Sequence, residues 1–237
     1  QSSNKESALD RRGFVKASTA AVAGGALAAT LPTGKGVFAA SDDKLKIALI
    51  GCGGRGTGAA NQALTTNDQG PVELVAMADA FGDRLDSSLN NLKGRHGDRV
   101  KVTEDTKFVG FEAYKKAISL ADVVILTTPP GFRPTHFEEA VRQGKHVFME
   151  KPVAVDGPGV RKVLAAAQEA KKKNLKVGVG LQRHHQKGYI ETIKRIHDGA
   201  IGDVTSMRCY WNGAGVWTRK RQAGQTEMEY QMRNWYY

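Results

Sequence analysis

The chain has 237 residues, 41% of them hydrophobic and 25% charged, proportions that are ordinary for a soluble globular protein. Its net charge of +11 is concentrated in residues 161–237, which carry +9 without an RNP sequence or a Cys/His finger, so no nucleic-acid partner is expected. Neither of the two cysteines sits in a Cys-x-x-Cys pair. This excludes a disulfide framework and a zinc signature, and no metal site is predicted.

Residues 1–40 have the order of a secretory signal. Arg11 and Arg12 precede an uncharged, weakly apolar stretch at 17–30, and residues 37–40 offer small side chains to a signal peptidase. The paired arginines indicate the twin-arginine route, so we expect the export machinery as a partner and a periplasmic or otherwise exported protein. The apolar stretch is too short for a spanning helix, which needs about 20 apolar residues, and no stable membrane span is expected.

From residue 44 onward, short apolar runs alternate with amphipathic stretches. The sequence predicts strands at residues 45–50, 72–78, 121–127, 146–149 and 176–179, and helices at residues 55–64, 84–92, 111–118, 134–143 and 158–172. Near-continuous apolar strands that alternate with helices favour parallel pairing with both sheet faces covered. The expected fold is α/β, a doubly wound parallel sheet of the Rossmann type at residues 41–180.

The pattern changes after residue 181. A helix at 189–197 and an alternating strand at 204–211 predict the start of a second α+β domain with an open sheet. One helix and one strand cannot bury a core, so residues 181–237 are interpreted as an incomplete domain, truncated at its C-terminal end.

A glycine-rich turn follows the first predicted strand directly. Residues 51–56 read Gly-Cys-Gly-Gly-Arg-Gly, which matches the G-x-G-x-x-G pattern. Glycines there allow a tight turn, close approach of a pyrophosphate and packing of the next helix, whose N-terminus offers free N–H groups to phosphates. The residues predicted to bind a dinucleotide are Gly51, Gly53, Gly54, Arg55 and Gly56. A purely structural glycine turn is the alternative.

The second predicted strand ends at Asp79. An acidic residue at this point can bind the adenosine ribose hydroxyls and repel a 2′-phosphate, which favours NAD over NADP. Asp79 lies 28 residues after Gly51, more than the usual ~20, and the loop at 65–70 accounts for the difference. Arg55 and Arg84 can counteract this preference by binding a 2′-phosphate, so NADP stays open.

Three further stretches carry a family pattern. Residues 127–130 read Thr-Thr-Pro-Pro and are followed by His136, residues 144–152 read Gly-Lys-His-Val-Phe-Met-Glu-Lys-Pro, and residues 199–204 read Gly-Ala-Ile-Gly-Asp-Val. They resemble the fourth-strand segment, the G-K-H-V-x-x-E-K-P signature and the G-x-I-G-x-V segment of the Gfo/Idh/MocA oxidoreductases, which include glucose–fructose oxidoreductase and inositol dehydrogenase. The resemblance covers residues 44 to about 210.

The resemblance implies that Lys151 is catalytic. This lysine follows the fifth predicted strand, at the carboxyl edge where open α/β sheets bind ligands. Its ammonium can polarise the reacting oxygen and stabilise alkoxide character as hydride leaves carbon. A surface lysine before a proline is the alternative. The further residues placed at the cofactor are Thr127, Thr128, Pro129, His136 and Glu150, with His136 expected to pack near the nicotinamide loop.

Arg183, His184 and His185 follow the last predicted strand at the same edge and are candidate substrate contacts. Adjacent histidines rarely chelate one ion, so they are not predicted to bind a metal. The resemblance also implies a carboxylate and an acid/base histidine about one helical turn apart in the second domain. No such pair precedes Tyr237, so we expect it downstream and expect this chain alone to be inactive. The family commonly dimerises through the C-terminal sheet, which predicts a substrate and dimerisation domain from residue 181 and a homo-oligomer at full length.

The resemblance therefore implies an enzyme that transfers hydride between a carbinol carbon of a sugar or cyclitol and NAD, with NADP as an alternative cofactor. The signal at residues 1–40 predicts that this enzyme is exported, and a tightly bound cofactor would suit a protein outside the cytoplasm. Two other functions remain open. One is an NAD-dependent glycoside hydrolase that oxidises the sugar transiently, and the other is a non-catalytic sugar- or nucleotide-binding protein.

Overall fold

A computed structural model describes residues 44–66 and 70–235, so the predicted signal at residues 1–40 lies outside the described residues. The strands are β1 (Leu45–Ile50), β2 (Val72–Asp79), β3 (Lys107–Val109), β4 (Val123–Leu126), β5 (His146–Met149) and β6 (Val177–Val179). The helices are α1 (Gly54–Thr65), α2 (Gly82–His96), α3 (Ala113–Ser119), α4 (Arg133–Arg142), α5 (Gly157–Lys172), α6 (Lys187–His197) and α7 (Glu227–Arg233).

The six strands form one sheet in the order β3-β2-β1-β4-β5-β6, and every neighbouring pair is parallel. The strand order reverses between β1 and β4, where Leu49 pairs with Met77 on one side and with Ile125 on the other. This confirms the predicted doubly wound parallel sheet. In such sheets the carboxyl ends of the strands at the reversal form the crevice that binds ligands.

Helices cover both faces of the sheet because successive strand residues point to opposite sides. Ile47 and Leu49 pack with α1 and α2 on one face, whereas Ala48 and Ile50 pack with α3, α4 and α5 on the other. All four side chains are buried. The unbroken apolar run of β1 is therefore explained by burial on both faces.

Three elements differ from the sequence prediction, and one of them is α7 (Glu227–Arg233), which no pattern in the sequence predicted. The structure adds β3 (Lys107–Val109), a three-residue strand at the edge of the sheet that pairs with the end of β2. The strand predicted at 204–211 is wrong, because these residues form no strand and are exposed. A strand needs a neighbour for its backbone hydrogen bonds, and none of the described segments pairs with this one.

The chain beyond β6 lies partly away from the sheet. The predicted helix near residue 190 is confirmed as α6 (Lys187–His197), which has no buried residue. In contrast, α7 (Glu227–Arg233) returns to the carboxyl edge of the sheet, where Met232 is buried. Within the described ranges, no helix is both long and apolar enough to cross a bilayer.

Candidate cofactor site

Two glycines of the turn after β1 are required by the protein's own packing. Gly51 has φ +94°, and a Cβ atom there would lie 2.6 Å from the backbone nitrogen of Thr128. A Cβ atom at Gly56 would lie 1.9 Å from the carbonyl oxygen of Gly51. Both glycines therefore allow α1 and the end of β4 to approach the turn closely.

The other two glycines face open space. A Cβ atom on Gly53 or Gly54 would have no atom within 4 Å. Helix α1 begins at Gly54, and no side chain caps its N-terminus or places a negative charge in its first turn. Its first N–H groups and the positive end of its dipole are therefore left to face this space. The protein's own packing does not require these glycines, but close approach of a pyrophosphate does, so the turn fits a dinucleotide.

Thr127 fixes the turn to the end of β4. Its hydroxyl donates to the carbonyl oxygen of Gly51 at 2.6 Å, and its backbone N–H donates to the carbonyl oxygen of Ile50 at 2.8 Å. The sequence predicts that Thr127 lies at the cofactor. In the structure its side chain holds the backbone on which the phosphates would lie.

Asp79 is held at the tip of β2 and contacts the same turn. Its carboxylate accepts hydrogen bonds from the N–H of Cys52 at 2.6 Å and from the N–H of Phe81 at 2.9 Å. Burial raises the pKa of the Cys52 thiol, and the Asp79 charge adds to this effect, so the thiol stays protonated. Asp79 thus joins the tip of β2, where the ribose is expected, to the phosphate-binding turn.

A cavity of about 890 Å³ extends from the glycine turn towards the C-terminal segment. This volume lies within the range of about 300–1,000 Å³ that is typical of ligand pockets. Its lining includes Gly53, Gly54, Arg55, Arg84, Arg95, Trp217, Arg219, Arg233 and Trp235. The sequence pattern does not predict that Arg219, Arg233 and Trp235 line this cavity, although the basic run at 219–221 was an available signal for Arg219.

Arg84 lies among these positive charges. Burial lowers the pKa of Arg84, the carboxylate of Asp79 opposes that effect, and the guanidinium groups of Arg219 and Arg233 add to it. Arg233 is paired with Asp83 and Glu229, whereas Arg84 and Arg219 form no ion pair with any described residue. The charges of Arg84 and Arg219 favour an anionic ligand, which relieves their mutual repulsion. This arrangement is suited to the phosphates of a dinucleotide.

His136 is a buried, packed residue. Its ring lies with its centroid 4.2 Å from that of Tyr114, and its Nδ1 lies 3.1 Å from the hydroxyl oxygen of Thr128. Burial lowers the pKa of His136 to about 4, and the charge of Arg133 adds to this effect. The imidazole is therefore neutral at pH 7. Together with Pro129 it lines the apolar part of the crevice.

Glu150 joins the end of β5 to the glycine turn. Its Oε1 lies 2.7 Å from Nε of Arg55, and its charge also acts on Arg133. Arg133 is 1% exposed and donates to the carbonyl oxygens of Leu126 and Thr128. Burial lowers the pKa of Arg133 to about 10, an effect that Glu150 opposes. The sequence does not predict this role of Arg133, since a single arginine at a helix start gives no signal of burial.

Lys151 follows β5 at the carboxyl edge of the sheet and is exposed. The peptide bond between Lys151 and Pro152 is cis. Among the residues that the structure describes, Nζ of Lys151 has no hydrogen-bond or ion-pair partner. Its ammonium is therefore available to a ligand at this edge.

Arg183, His184 and His185 follow β6 and are exposed. Nε of Arg183 donates to the hydroxyl of Tyr189 at 2.9 Å, and its guanidinium lies 5.6 Å from the ring centroid of Trp211. No contact joins these three residues to the glycine turn. Across the described ranges, no group of three or more His, Cys, Asp or Glu side chains could hold a metal ion.

The sheet is doubly wound and parallel, with an open glycine turn where the strand order reverses and an acidic residue at the tip of β2. These features define a Rossmann-type dinucleotide-binding domain. Residues 45–181 match the family described as "Oxidoreductase family, NAD-binding Rossmann fold". The chain belongs to this family, the Gfo/Idh/MocA family, which confirms the resemblance found in the sequence.

Known proteins of the family include inositol dehydrogenases. The chain is 32% identical to inositol 2-dehydrogenase of Ralstonia nicotianae over 179 residues, and 29% identical to that of Rhizobium meliloti over 160 residues. These alignments cover 74% and 68% of this chain but only 48% and 43% of the relatives. The structure of apo scyllo-inositol dehydrogenase from Lactobacillus casei matches with a TM-score of 0.52 and 25% identity, over 70% of this chain and 45% of that one. The chain therefore spans less than half the length of these relatives.

Proposed function

We propose that the chain is the cofactor-binding part of an exported NAD(P)-dependent oxidoreductase that transfers hydride at a carbinol carbon of a sugar or cyclitol. The observation that carries the proposal is the open surface at Gly53 and Gly54, at the same edge of the sheet as the unpaired ammonium of Lys151. The names of the relatives, inositol dehydrogenases, support a cyclitol or sugar as the substrate.

Each residue at the edge has a chemical task in this proposal. The N-terminus of α1 binds the pyrophosphate, and Asp79 accepts a hydrogen bond from the adenosine ribose. Bound NAD supplies the hydride acceptor. Lys151 donates a hydrogen bond to the substrate oxygen and stabilises the negative charge that grows there as hydride leaves carbon. A histidine in the remainder of the protein removes the hydroxyl proton.

The cofactor is proposed to stay bound between turnovers. Residues from both ends of the described chain line the cavity at the glycine turn, and several of them are arginines. A retained cofactor suits a protein outside the cytoplasm, where it must be reset by a second substrate rather than exchanged. We also propose that the full-length protein forms a homo-oligomer through its C-terminal domain.

Lys151→Ala in the full-length, signal-processed protein tests the catalytic assignment. We expect kcat/KM for the best substrate in a panel of cyclitols and sugars to fall by about 10²-fold or more, because the transition state loses a charged donor. The NAD dissociation constant should change little. The matched control is Lys172→Ala, an exposed lysine on α5, which should behave like the wild type.

Unchanged turnover in Lys151→Ala would contradict the catalytic role of this lysine. Cleavage of glycosides without accumulation of reduced cofactor would instead support the transient-oxidation hydrolase. Cofactor binding without turnover of any sugar would support a non-catalytic binding protein.

A further inference from the structure

Helix α7 lies across the crevice at the carboxyl edge of the sheet. Met232 is 9% exposed and lines the crevice together with Phe81 and Phe132. Just beyond the helix, the ring centroid of Trp235 lies 5.5 Å from that of Phe132. This contact joins the C-terminal segment to the loop between β4 and α4. The segment lies outside residues 45–181, the part that matches the family.

Arg233 holds α7 to the start of α2. Its two terminal nitrogens lie 3.0 and 3.1 Å from the two carboxylate oxygens of Asp83, and its guanidinium lies 4.1 Å from the ring centroid of Phe81. The hydrogen bonds from Arg233 lower the pKa of the Asp83 carboxyl. The backbone carbonyl of Arg233 also accepts a hydrogen bond from Arg84 at 3.4 Å.

The crevice beneath α7 adjoins the larger cavity beside the glycine turn, since Gly53 and Arg84 line both. Asp79 and Met232 lie on the crevice side. A dinucleotide with its pyrophosphate at the glycine turn and its ribose at Asp79 therefore lies partly beneath α7.

We propose that α7 and Trp235 form a clamp over the adenosine end of the dinucleotide site, and that opening of this clamp limits the rate of cofactor exchange. The inference rests on the proposed function, since it requires that a nicotinamide dinucleotide binds here. The paired charges of Asp83 and Arg233 hold the clamp closed, and the apolar side chains of Met232 and Trp235 exclude water from the adenine. This segment supplies cofactor-binding residues in addition to those of the glycine turn.

Asp83→Asn in the full-length protein tests the clamp. Stopped-flow fluorescence measures NADH dissociation while excess NAD captures the vacated site. We expect the dissociation rate constant to rise by up to about fivefold, the effect of losing a solvent-exposed ion pair. Added salt should accelerate dissociation more in the wild type than in Asp83→Asn, because only the wild type still has the pair to screen.

Two further variants separate the clamp from general effects of charge. Glu138→Gln removes the ion pair with Lys162 on the helices α4 and α5, which is similarly exposed, and should leave the rate unchanged. Arg233→Lys keeps a charge but loses the two-point contact, so its rate should fall between those of the wild type and Arg233→Ala. Circular dichroism checks that each variant is folded.

The clamp is overturned if Asp83→Asn and Arg233→Ala both release NADH at the wild-type rate. In that case α7 is only a structural cover. If no variant and no wild-type protein binds NADH at all, the proposed function itself fails, and the two failures are thus distinct.

Discussion

At the scale of single residues, the polar side chains at the edge of the sheet act mainly on the backbone that would carry the cofactor. Thr127 donates to the carbonyl of Gly51, and Asp79 accepts from the N–H of Cys52. Arg133 holds the carbonyls of Leu126 and Thr128. Pre-organised donors and acceptors of this kind hold a binding loop in place before the ligand arrives, which reduces the ordering cost of binding.

The buried imidazole of His136 makes stability depend on pH. Its pKa is about 4 in the folded chain and about 6.5 in the unfolded chain, so the unfolded state binds the proton more readily. The free energy of unfolding should therefore fall as the pH drops from about 6.5 towards 4, by about 3 kcal/mol from this group. His136→Gln keeps a partner for Thr128 but does not titrate.

Denaturant unfolding of the wild type and His136→Gln at pH 7 and pH 4.5 measures this contribution. Carboxylates protonate in both proteins, so the difference between the two pH dependences isolates the histidine. The same loss of stability in both proteins would contradict the assignment of a buried, neutral imidazole.

Residue patterns in the sequence predicted some residues of the site and missed others. Gly51, Gly56 and Asp79 were found because a turn after a strand and an acid at the next strand tip have a recognisable spacing. Arg133 and Arg233 were not found, because the groups that they contact come together only when the chain folds. One is buried among carbonyl groups, and the other meets a carboxylate 150 residues away in the sequence.

At the scale of elements, the glycines in the turn between β1 and α1 fall into two groups. Some are required by the packing of the protein, and others leave space for a ligand. Gly56→Ala places a methyl group against the carbonyl of Gly51 and should destabilise the fold by about 1–3 kcal/mol, as overpacking does. Gly53→Ala meets no atom and should leave stability nearly unchanged, but should weaken binding of NAD because the methyl group occupies the phosphate site.

Thermal unfolding and calorimetric titration with NAD measure the two effects on the same pair of proteins. Gly53→Ala with unchanged affinity would contradict the placement of the pyrophosphate at the N-terminus of α1. Gly56→Ala with full stability would contradict the close packing of α1 on the turn.

Long apolar runs predicted their elements well, because most residues of β1, β2, β4 and β5 are buried or half-buried and therefore apolar. The edge strand β3 was missed since three partly exposed residues have no periodicity to detect. The alternation at 204–211 predicted a strand that needs pairing partners, which the described segments do not provide. Helix α7 was also missed, because its contacts are distant in sequence.

At the scale of the whole molecule, the structure explains part of the positive charge of residues 161–237. Arg219 and Arg233 line the cavity at the glycine turn. Arg233 is paired with Asp83, so Arg219 is the one of the two whose charge complements an anionic cofactor. The chain spans less than half the length of its inositol dehydrogenase relatives. The acid/base histidine, the substrate surface and the oligomer contact therefore stay proposals. Export by the twin-arginine route remains a proposal from residues 1–40.

The most direct test of the central claim is to identify the nucleotide that the protein carries. The full-length, signal-processed protein is purified, denatured and analysed by mass spectrometry for released nucleotide, and NAD and NADP are then titrated onto the emptied protein. We expect released NAD(H) or NADP(H), with NAD preferred because of Asp79. No released nucleotide, together with no binding of either dinucleotide on addition, would contradict it.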